Sequence, residues 1–392
     1  MRVLHIGKYF APFKGGVETY MMDVMRALTR LGCECMALVH RHDRSLRDLR
    51  ERPDGPQGFG VVRAATWFTA FFTPISPGFP FTLWRVLRSF RPDVVHVHLP
   101  NPSACWLLLT PGARRANWMV HWHSDVITAR LGWAMRVLYA LYRPLERRLL
   151  RRADAIVATS ESYLETSESL ADFPDKCHVI PLGLDPGRLD DRAAADERAL
   201  VGGEPLRVLA VGRLTYYKGF GYLLRALART EGVILDVVGE GELERELKAM
   251  AGALDLRERV TFHHAVNDQR LAKLLRDCDC LCLPSIERTE AFGLVLLEAM
   301  AFSRATVASR VRGSGMAWVV EDGVTGLLVA PADESALAAA LERLRDDPEL
   351  ARRLGRNGRR RFDEEFHIDR SAQRLEELYG KLCAGHAGLA PP

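Results

Sequence analysis

Glu290 and Glu298 frame the segment Glu290-Ala-Phe-Gly-Leu-Val-Leu-Leu-Glu298. The apolar run after the glycine predicts a helix beginning near Phe292. Eight residues span a little over two helical turns, so both acids fall near one face. Glu290 belongs to the entry loop and Glu298 lies two turns inside. The backbone N–H groups of Phe292, Gly293 and Leu294 then point out of the helix N-terminus, a setting that suits phosphate. Anion-binding amides between two acceptors for sugar hydroxyls fit a nucleotide-sugar. The same residues also read as an acidic entry that complements the helix dipole.

Further constellations fall where predicted strands end. Gly212-Arg213-Leu214-Thr215-Tyr216-Tyr217-Lys218-Gly219 carries two cations five positions apart on one loop. Arg offers a bidentate fork and Lys a point charge, so both suit one diphosphate. A solvated basic loop is the bland alternative. Gly239-Glu240-Gly241 lacks the third glycine of a dinucleotide fingerprint, which argues against NAD. Its glycines are expected to let a base or ribose approach the backbone. Lys14-Gly15-Gly16 stands between the first strand and first helix. It permits close ligand approach, or simply a tight turn.

His121-Trp122-His123-Ser124-Asp125 follows another strand end. Strand alternation places His121 and His123 on one side. They read as a ligand contact at His123, as core histidines or as a metal pair. No third ligand is spaced to complete a metal site. Asp277-Cys278-Asp279 leads into a strand at its amino end, the wrong end for a metal-binding acidic motif. Cys278, Cys280 and Cys282 alternate as strand residues do, among eight cysteines without paired spacing. Reduced thiols fit the cytoplasm.

These residues need a scaffold, and the chain repeats strand and helix twice. Strands are predicted at Val3–Gly7, Cys35–Val39, Val94–Val97, Trp118–His121 and Ala155–Ala158. Helical patterns cover Val17–Leu31, Phe81–Phe90 and Gly132–Arg151. Pro and Gly punctuate Val179–Gly187, and a polar segment runs to Pro205. The rhythm restarts with strands at Val208–Gly212, Val233–Gly239, Val260–Phe262, Cys280–Pro284, Ala305–Ala308 and Gly326–Val329. Helices are expected to start near Lys218, Leu243, Gln269, Phe292 and Glu334, then to run over about Pro348–Phe362 and Ile368–Leu382. The expected organisation is α/β, with two doubly wound domains, 1–185 and 186–365, facing a cleft. Ligands in such sheets bind beyond the strands' carboxyl ends.

The 392 residues are 48% hydrophobic and 27% charged, enough apolar material for two cores. The chain is read as having no signal peptide and no membrane span, because the Phe/Trp-rich stretch Ala64–Leu87 is broken by Pro74, Pro77, Gly78 and Pro80. That stretch reads as a hydrophobic loop feeding a helix. Residues 1–185 carry 24 Lys and Arg against 17 Asp and Glu, a net +7 within a total of +4. Arg130 to Arg152 mixes basic and aromatic residues. It reads as an amphipathic helix on anionic lipid, or as a core helix with a snorkelling basic face.

Together these motifs resemble the GT-B glycosyltransferases of family 4 with retaining chemistry, over essentially the whole chain. Trp122-His123-Ser124-Asp125 and Tyr216-Tyr217-Lys218-Gly219-Phe220 are most similar to bacterial mannosyl- or rhamnosyltransferases of O-antigen and exopolysaccharide assembly. The resemblance implies two Rossmann-like domains, the first for acceptor and the second for the nucleotide-sugar donor. It also implies that a last helix, about 366–392, crosses back to the first domain. It assigns Arg213 and Lys218 to the donor diphosphate, Glu290 to sugar hydroxyls, Glu298 to the ribose and His123 to the donor sugar. Donor-binding backbone is implied at Gly15, Gly16, Gly239, Gly241, Phe292, Gly293 and Leu294. Acceptor candidates are Asp125, His98 and Asn101. No metal and no cofactor are expected beyond the donor, and no nucleic-acid partner. The implied acceptor is a lipid-linked glycan, met by a cytoplasmic protein peripheral on the inner membrane face. Mannose from GDP-mannose is the implied donor, with a UDP-sugar, GDP-rhamnose or a non-catalytic binding subunit as alternatives.

Overall fold

Strands that bury every residue lie in the middle of the first sheet. Val94–Leu99 and Asn117–Trp122 are buried along their whole length, which fits parallel strands covered on both faces. The structure, a computed structural model, describes residues 1–13, 15–56, 58–70, 73–126, 132–189 and 204–387. Lys14, Arg130, the polar stretch 190–203 and the tail past 387 lie outside the described residues. The chain divides into two units, Met1–Leu182 with Ile368–Pro392, and Gly183–His367.

The first unit contains β1 (Arg2–Ile6), β2 (Glu34–His40), β3 (Leu49–Glu51), β4 (Gly60–Ala64), β5 (Phe68–Ala70), β6 (Thr73–Ile75), β7 (Val94–Leu99), β8 (Asn117–Trp122), β9 (Ala155–Ala158) and β10 (Cys177–Val179). Eight of them form one sheet in the order β10-β9-β8-β7-β1-β2-β4-β3. Only β3 runs antiparallel, against β4. The strand order reverses between β7 and β1, and open α/β sheets bind ligands beside that reversal. Its helices are α1 (Gly16–Arg30), α2 (Phe79–Phe90), α3 (Trp133–Arg152) and α4 (Glu161–Thr166).

The second unit contains β11 (Leu206–Val211), β12 (Val233–Val238), β13 (Val260–His263), β14 (Cys280–Leu283), β15 (Ala305–Ser309) and β16 (Leu327–Val329). All are parallel, in the order β13-β12-β11-β14-β15-β16. Here the reversal lies between β11 and β14. The helices are α5 (Phe220–Leu227), α6 (Glu244–Ala253), α7 (Asp268–Asp277), α8 (Leu294–Ala301), α9 (Met316–Val319), α10 (Glu334–Asp346) and α11 (Pro348–Arg361). The last helix, α12 (Ile368–Ala387), packs on α1 in the first unit. Arg30 pairs with Asp369 at 2.7 Å, and Ser371 donates to the carbonyl of Pro181.

One expectation changes, and two helix starts are sharpened. Ala64–Leu87 is not a plain loop: β5 and β6 pair antiparallel within it. Pro74 is tolerated there because a two-stranded sheet consists of edges. The helix expected near Lys218 is α5. Tyr216–Lys218 form a single 3-10 turn, Gly219 adopts φ +71, and α5 begins at Phe220. Likewise Gly293 adopts φ +85, which delays α8 to Leu294. Among the described residues, no helix is long and apolar enough to cross a membrane.

Candidate functional site

The loops leaving β11 and β14 flank the reversal in the second unit, and they carry the charged residues singled out from sequence. Thr215 starts the 3-10 turn and Lys218 ends it. The amide of Ile286 donates to the Tyr217 carbonyl at 2.8 Å, tying this turn to the loop after β14. That bond brings Lys218 onto Glu290. Their Nζ and Oε2 form an ion pair, and Ser285 donates its hydroxyl to the same oxygen at 3.3 Å. Ser314 donates to the Glu290 carbonyl and fixes the loop from the other side. Lys218 is 8% exposed. Arg213 is exposed at the start of the same loop. One cation is therefore held rigidly and the other is presented to solvent.

Glu298 lies one turn into α8 and is 8% exposed. Burial raises its pKa, while the Arg188 guanidinium opposes that shift. Arg188 donates to Oε1 at 3.0 Å and also pairs with Asp268 at 3.1 Å. The second oxygen, Oε2, has no hydrogen-bond partner among the described residues. A buried carboxylate with one oxygen held and one unpartnered suits a ligand hydroxyl.

The helix-amide expectation needs a correction. With α8 starting at Leu294, the Phe292 amide does not belong to its N-terminus. Phe292 is instead 3% exposed, its ring beside Trp318 and Phe366. Gly239 and Gly241 also have a reason other than ligand approach. A Cβ at Gly239 would strike the Gly212 carbonyl, and one at Gly241 the Leu214 carbonyl. These glycines let the β11 and β12 loops pack backbone on backbone. Asp279 accepts the Arg207 amide at 2.8 Å and Asp277 pairs with Lys273.

In the first unit the sheet assembles histidines that sequence spacing separates. His5 is on β1, His96 and His98 are on β7, His121 is on β8, and His123 follows it. His5 stands opposite His96, and His98 opposite His121, in the strand registers. His98 Nδ1 lies 2.9 Å from His123 Nε2, and His98 Nε2 lies 3.1 Å from His5 Nδ1. A second row runs from Tyr379 on α12 to His96 Nδ1 at 2.6 Å, then from His96 Nε2 to His121 Nδ1 at 3.2 Å. Burial lowers the pKa of all five, to about 3 at His5 and His123. The rings stay neutral.

The expectation that no third metal ligand stands near His121 and His123 is therefore overturned. His98 supplies one from the adjacent strand, with ligand atoms of the three within 4.8 Å. Yet both nitrogens of His98 already face other imidazoles. A cation there would have to break the row.

The other first-unit candidates are largely built into turns. Gly15 caps α1 in an extended conformation, and its carbonyl accepts the Thr19 amide; Gly16 opens the helix. Asn101 is buried and accepts the Ser103 amide at 3.2 Å. Asp125 Oδ1 accepts from Trp122 Nε1 at 2.8 Å and Ser167 Oγ at 2.7 Å.

Sequence reading missed Glu146 on α3. Burial pushes its carboxyl up to about 7, although Tyr139 donates to Oε1 at 3.2 Å. An acid whose folded pKa is raised stabilises the fold below its unfolded pKa. That contribution is lost as pH rises through the folded pKa. Stability should therefore fall between about pH 4.5 and pH 7 through this group. Glu146→Gln should remove that fall and gain up to roughly 3 kcal/mol at pH 8. Urea unfolding at pH 5 and pH 8 measures it, and parallel pH profiles for parent and variant would refute it.

Two doubly wound units, with paired charges at the strand reversal of the second, define the GT-B class of nucleotide-sugar transferase. Comparison with known proteins agrees. Residues 14–188 match the family described as Glycosyltransferase Family 4, and residues 191–361 match glycosyl transferases group 1. The O-antigen chain mannosyltransferase C of Escherichia coli is 31% identical over 97% of this chain and 99% of that one. The D-rhamnosyltransferase WbpZ of Pseudomonas aeruginosa is 33% identical over 93% and 92%. A sucrose-phosphate synthase structure from Thermosynechococcus elongatus superposes with a TM-score of 0.79 at 25% identity, covering 98% of this chain and 99% of that one. The chain belongs to glycosyltransferase family 4 and is a glycosyltransferase.

Proposed function

We propose that the enzyme is a retaining, metal-independent hexosyltransferase that moves mannose from GDP-mannose to a lipid-linked or growing bacterial surface glycan. The observation that carries this reading is the Lys218–Glu290 pair at the β11–β14 reversal, with Arg213 on the same loop. Departure of the nucleotide builds negative charge on its phosphate. Preorganised cations stabilise that charge most when they are already held in place. Lys218 is so held, and Arg213 supplies a second positive charge without a metal. Glu290 orients Lys218 and accepts from a sugar hydroxyl. Glu298 offers Oε2 to a ribose hydroxyl, and His123 faces the transferred sugar. Retention follows if the departing phosphate takes the acceptor's proton on the same face of the sugar.

Similarity to a mannosyltransferase over nearly the full length supports the sugar. A second reading, GDP-rhamnose, is favoured by the equally extensive likeness to a rhamnosyltransferase. A panel of GDP- and UDP-sugars, tested by calorimetry and product detection with and without Mg²⁺, separates them. GDP-mannose turnover without metal is the expected result. Selective use of UDP-sugars, or a strict need for Mg²⁺, would overturn the proposal.

Membrane contact is part of the same proposal, and α3 supports it. Its inward face carries Glu146, Leu149 and Leu150. Outward it shows Trp133, Val137, Leu138, Leu141 and Leu145, with Trp133 81% exposed and Leu141 69%. A core helix with a basic outer face would not carry this apolar stripe. Arg136, Arg143 and Arg148 are exposed on the same helix, so apolar insertion and attraction to anionic headgroups coincide. This supports a protein peripheral on the inner face of the cytoplasmic membrane, where a lipid-linked acceptor would be met.

A further inference from the structure

A neutral imidazole carries one N–H and one lone pair. Each nitrogen-to-nitrogen contact in the His5–His98–His123 row therefore holds one proton. The spacing, 3.1 Å and then 2.9 Å, leaves only two arrangements. Either every ring carries its proton on Nδ1, or every ring carries it on Nε2. A mixed row would place two protons, or two lone pairs, in one contact.

The two arrangements differ at their ends. His5 Nε2 and His123 Nδ1 are both buried and have no hydrogen-bond partner among the described residues. One end must hold an unpaired N–H and the other an unpaired lone pair. A buried unpaired N–H is the costlier of the two. His5 lies inside β1 with no exposure, whereas His123 lies past the carboxyl end of β8 and is 5% exposed. The His123 end lies past the carboxyl end of its strand, the side on which open α/β sheets bind ligands.

We infer that His5 and His98 are positioning residues that hold His123 in its Nδ1–H tautomer, so that it presents a hydrogen-bond donor to an acceptor oxygen of the bound substrate. His5 Nδ1–H donates to His98 Nε2, and His98 Nδ1–H donates to His123 Nε2. The neighbouring row of Tyr379, His96 and His121 ends at His121 Nε2, which is also buried without a hydrogen-bond partner among the described residues. The rows stack without exchanging hydrogen bonds, with His121 and His123 centroids 4.4 Å apart and 2° from parallel. The tautomer of His123 is thus set by β1 and β7 and not by α12.

The catalytic consequence rests on the proposed placement of His123 at the transferred sugar; the tautomer itself does not. Nitrogen-15 NMR of the full chain with labelled histidine reads the ring protons directly, with His123→Gln assigning the signal. The expected pattern is a protonated Nδ1 and an unprotonated Nε2. An Nε2–H pattern in the native protein overturns the inference without any further variant. His5→Phe removes the donor to His98 and should move His123 toward Nε2–H. It should lower kcat at least about tenfold while leaving the donor KM nearly unchanged. His5→Asn keeps an N–H near the position of Nδ1 and should restore both. An unchanged His123 spectrum in folded His5→Phe would also refute the lock. A shifted spectrum with unchanged kcat would preserve the lock and remove His123 from the sugar.

Discussion

Lys218→Ala should lower kcat by about a thousandfold while the protein still folds. The 3-10 turn, the Ile286–Tyr217 hydrogen bond and the burial of Lys218 fix the ammonium before substrate arrives. Little reorganisation is then left for the moment when phosphate charge develops. Alanine removes that charge and leaves Glu290 with the Ser285 hydroxyl alone as a described side-chain donor to Oε2. Lys218→Arg should not rescue the rate. The planar guanidinium is larger, and the ammonium already lies in a tight place where even a Cβ on Gly212 would come within 3.0 Å of it. Steady-state transfer with GDP-mannose measures the effect, with circular dichroism confirming the fold. A rate within about tenfold of the parent would remove Lys218 from the leaving-group role.

The residues on either side of this pair show where sequence reading reaches. Arg213, Lys218, Glu290 and Glu298 could be singled out because each follows a short apolar strand or enters a helix. Their local punctuation is explicit in the chain. Helix starts were less legible, since nothing local announces that Gly219 and Gly293 take positive φ before the helix begins. The histidine rows were not seen, although the signal was present. His96 and His98 alternate on one strand as His121 and His123 do across the end of the next. Placing β7 between β1 and β8 requires the sheet order, which is a long-range property. Arg188 was hidden for the same reason: it lies in a Pro/Gly-punctuated connection and meets Glu298 only through the fold. The outer stripe of α3 was half legible. Its arginines and aromatics were plain, but which apolar residues faced outward depended on which side Glu146 and Leu149 took.

Arg188→Ala should destabilise the protein by about 3 kcal/mol at pH 8 and by much less near pH 4.5. Glu298 is buried, and burial raises its folded pKa against the opposing pull of Arg188. Without the guanidinium that pKa must climb further. A raised acid contributes stability below its unfolded pKa and loses it as pH rises through the folded value. The variant's deficit should therefore open as pH rises, because ionised Glu298 is then left without its partner. Adding Glu298→Gln removes the charge and keeps the shape. The double variant should be more stable than Arg188→Ala at pH 8, although it carries one more substitution. Urea denaturation of parent, single and double variants at both pH values tests this. Equal losses at both pH values, or no recovery in the double variant, would mean that the pair is not what makes burial of Glu298 tolerable. A positive result would separate two properties of one carboxylate. Arg188 would then hold Oε1 and oppose the rise in pKa, and the unpartnered Oε2 would be the atom left to meet the nucleotide.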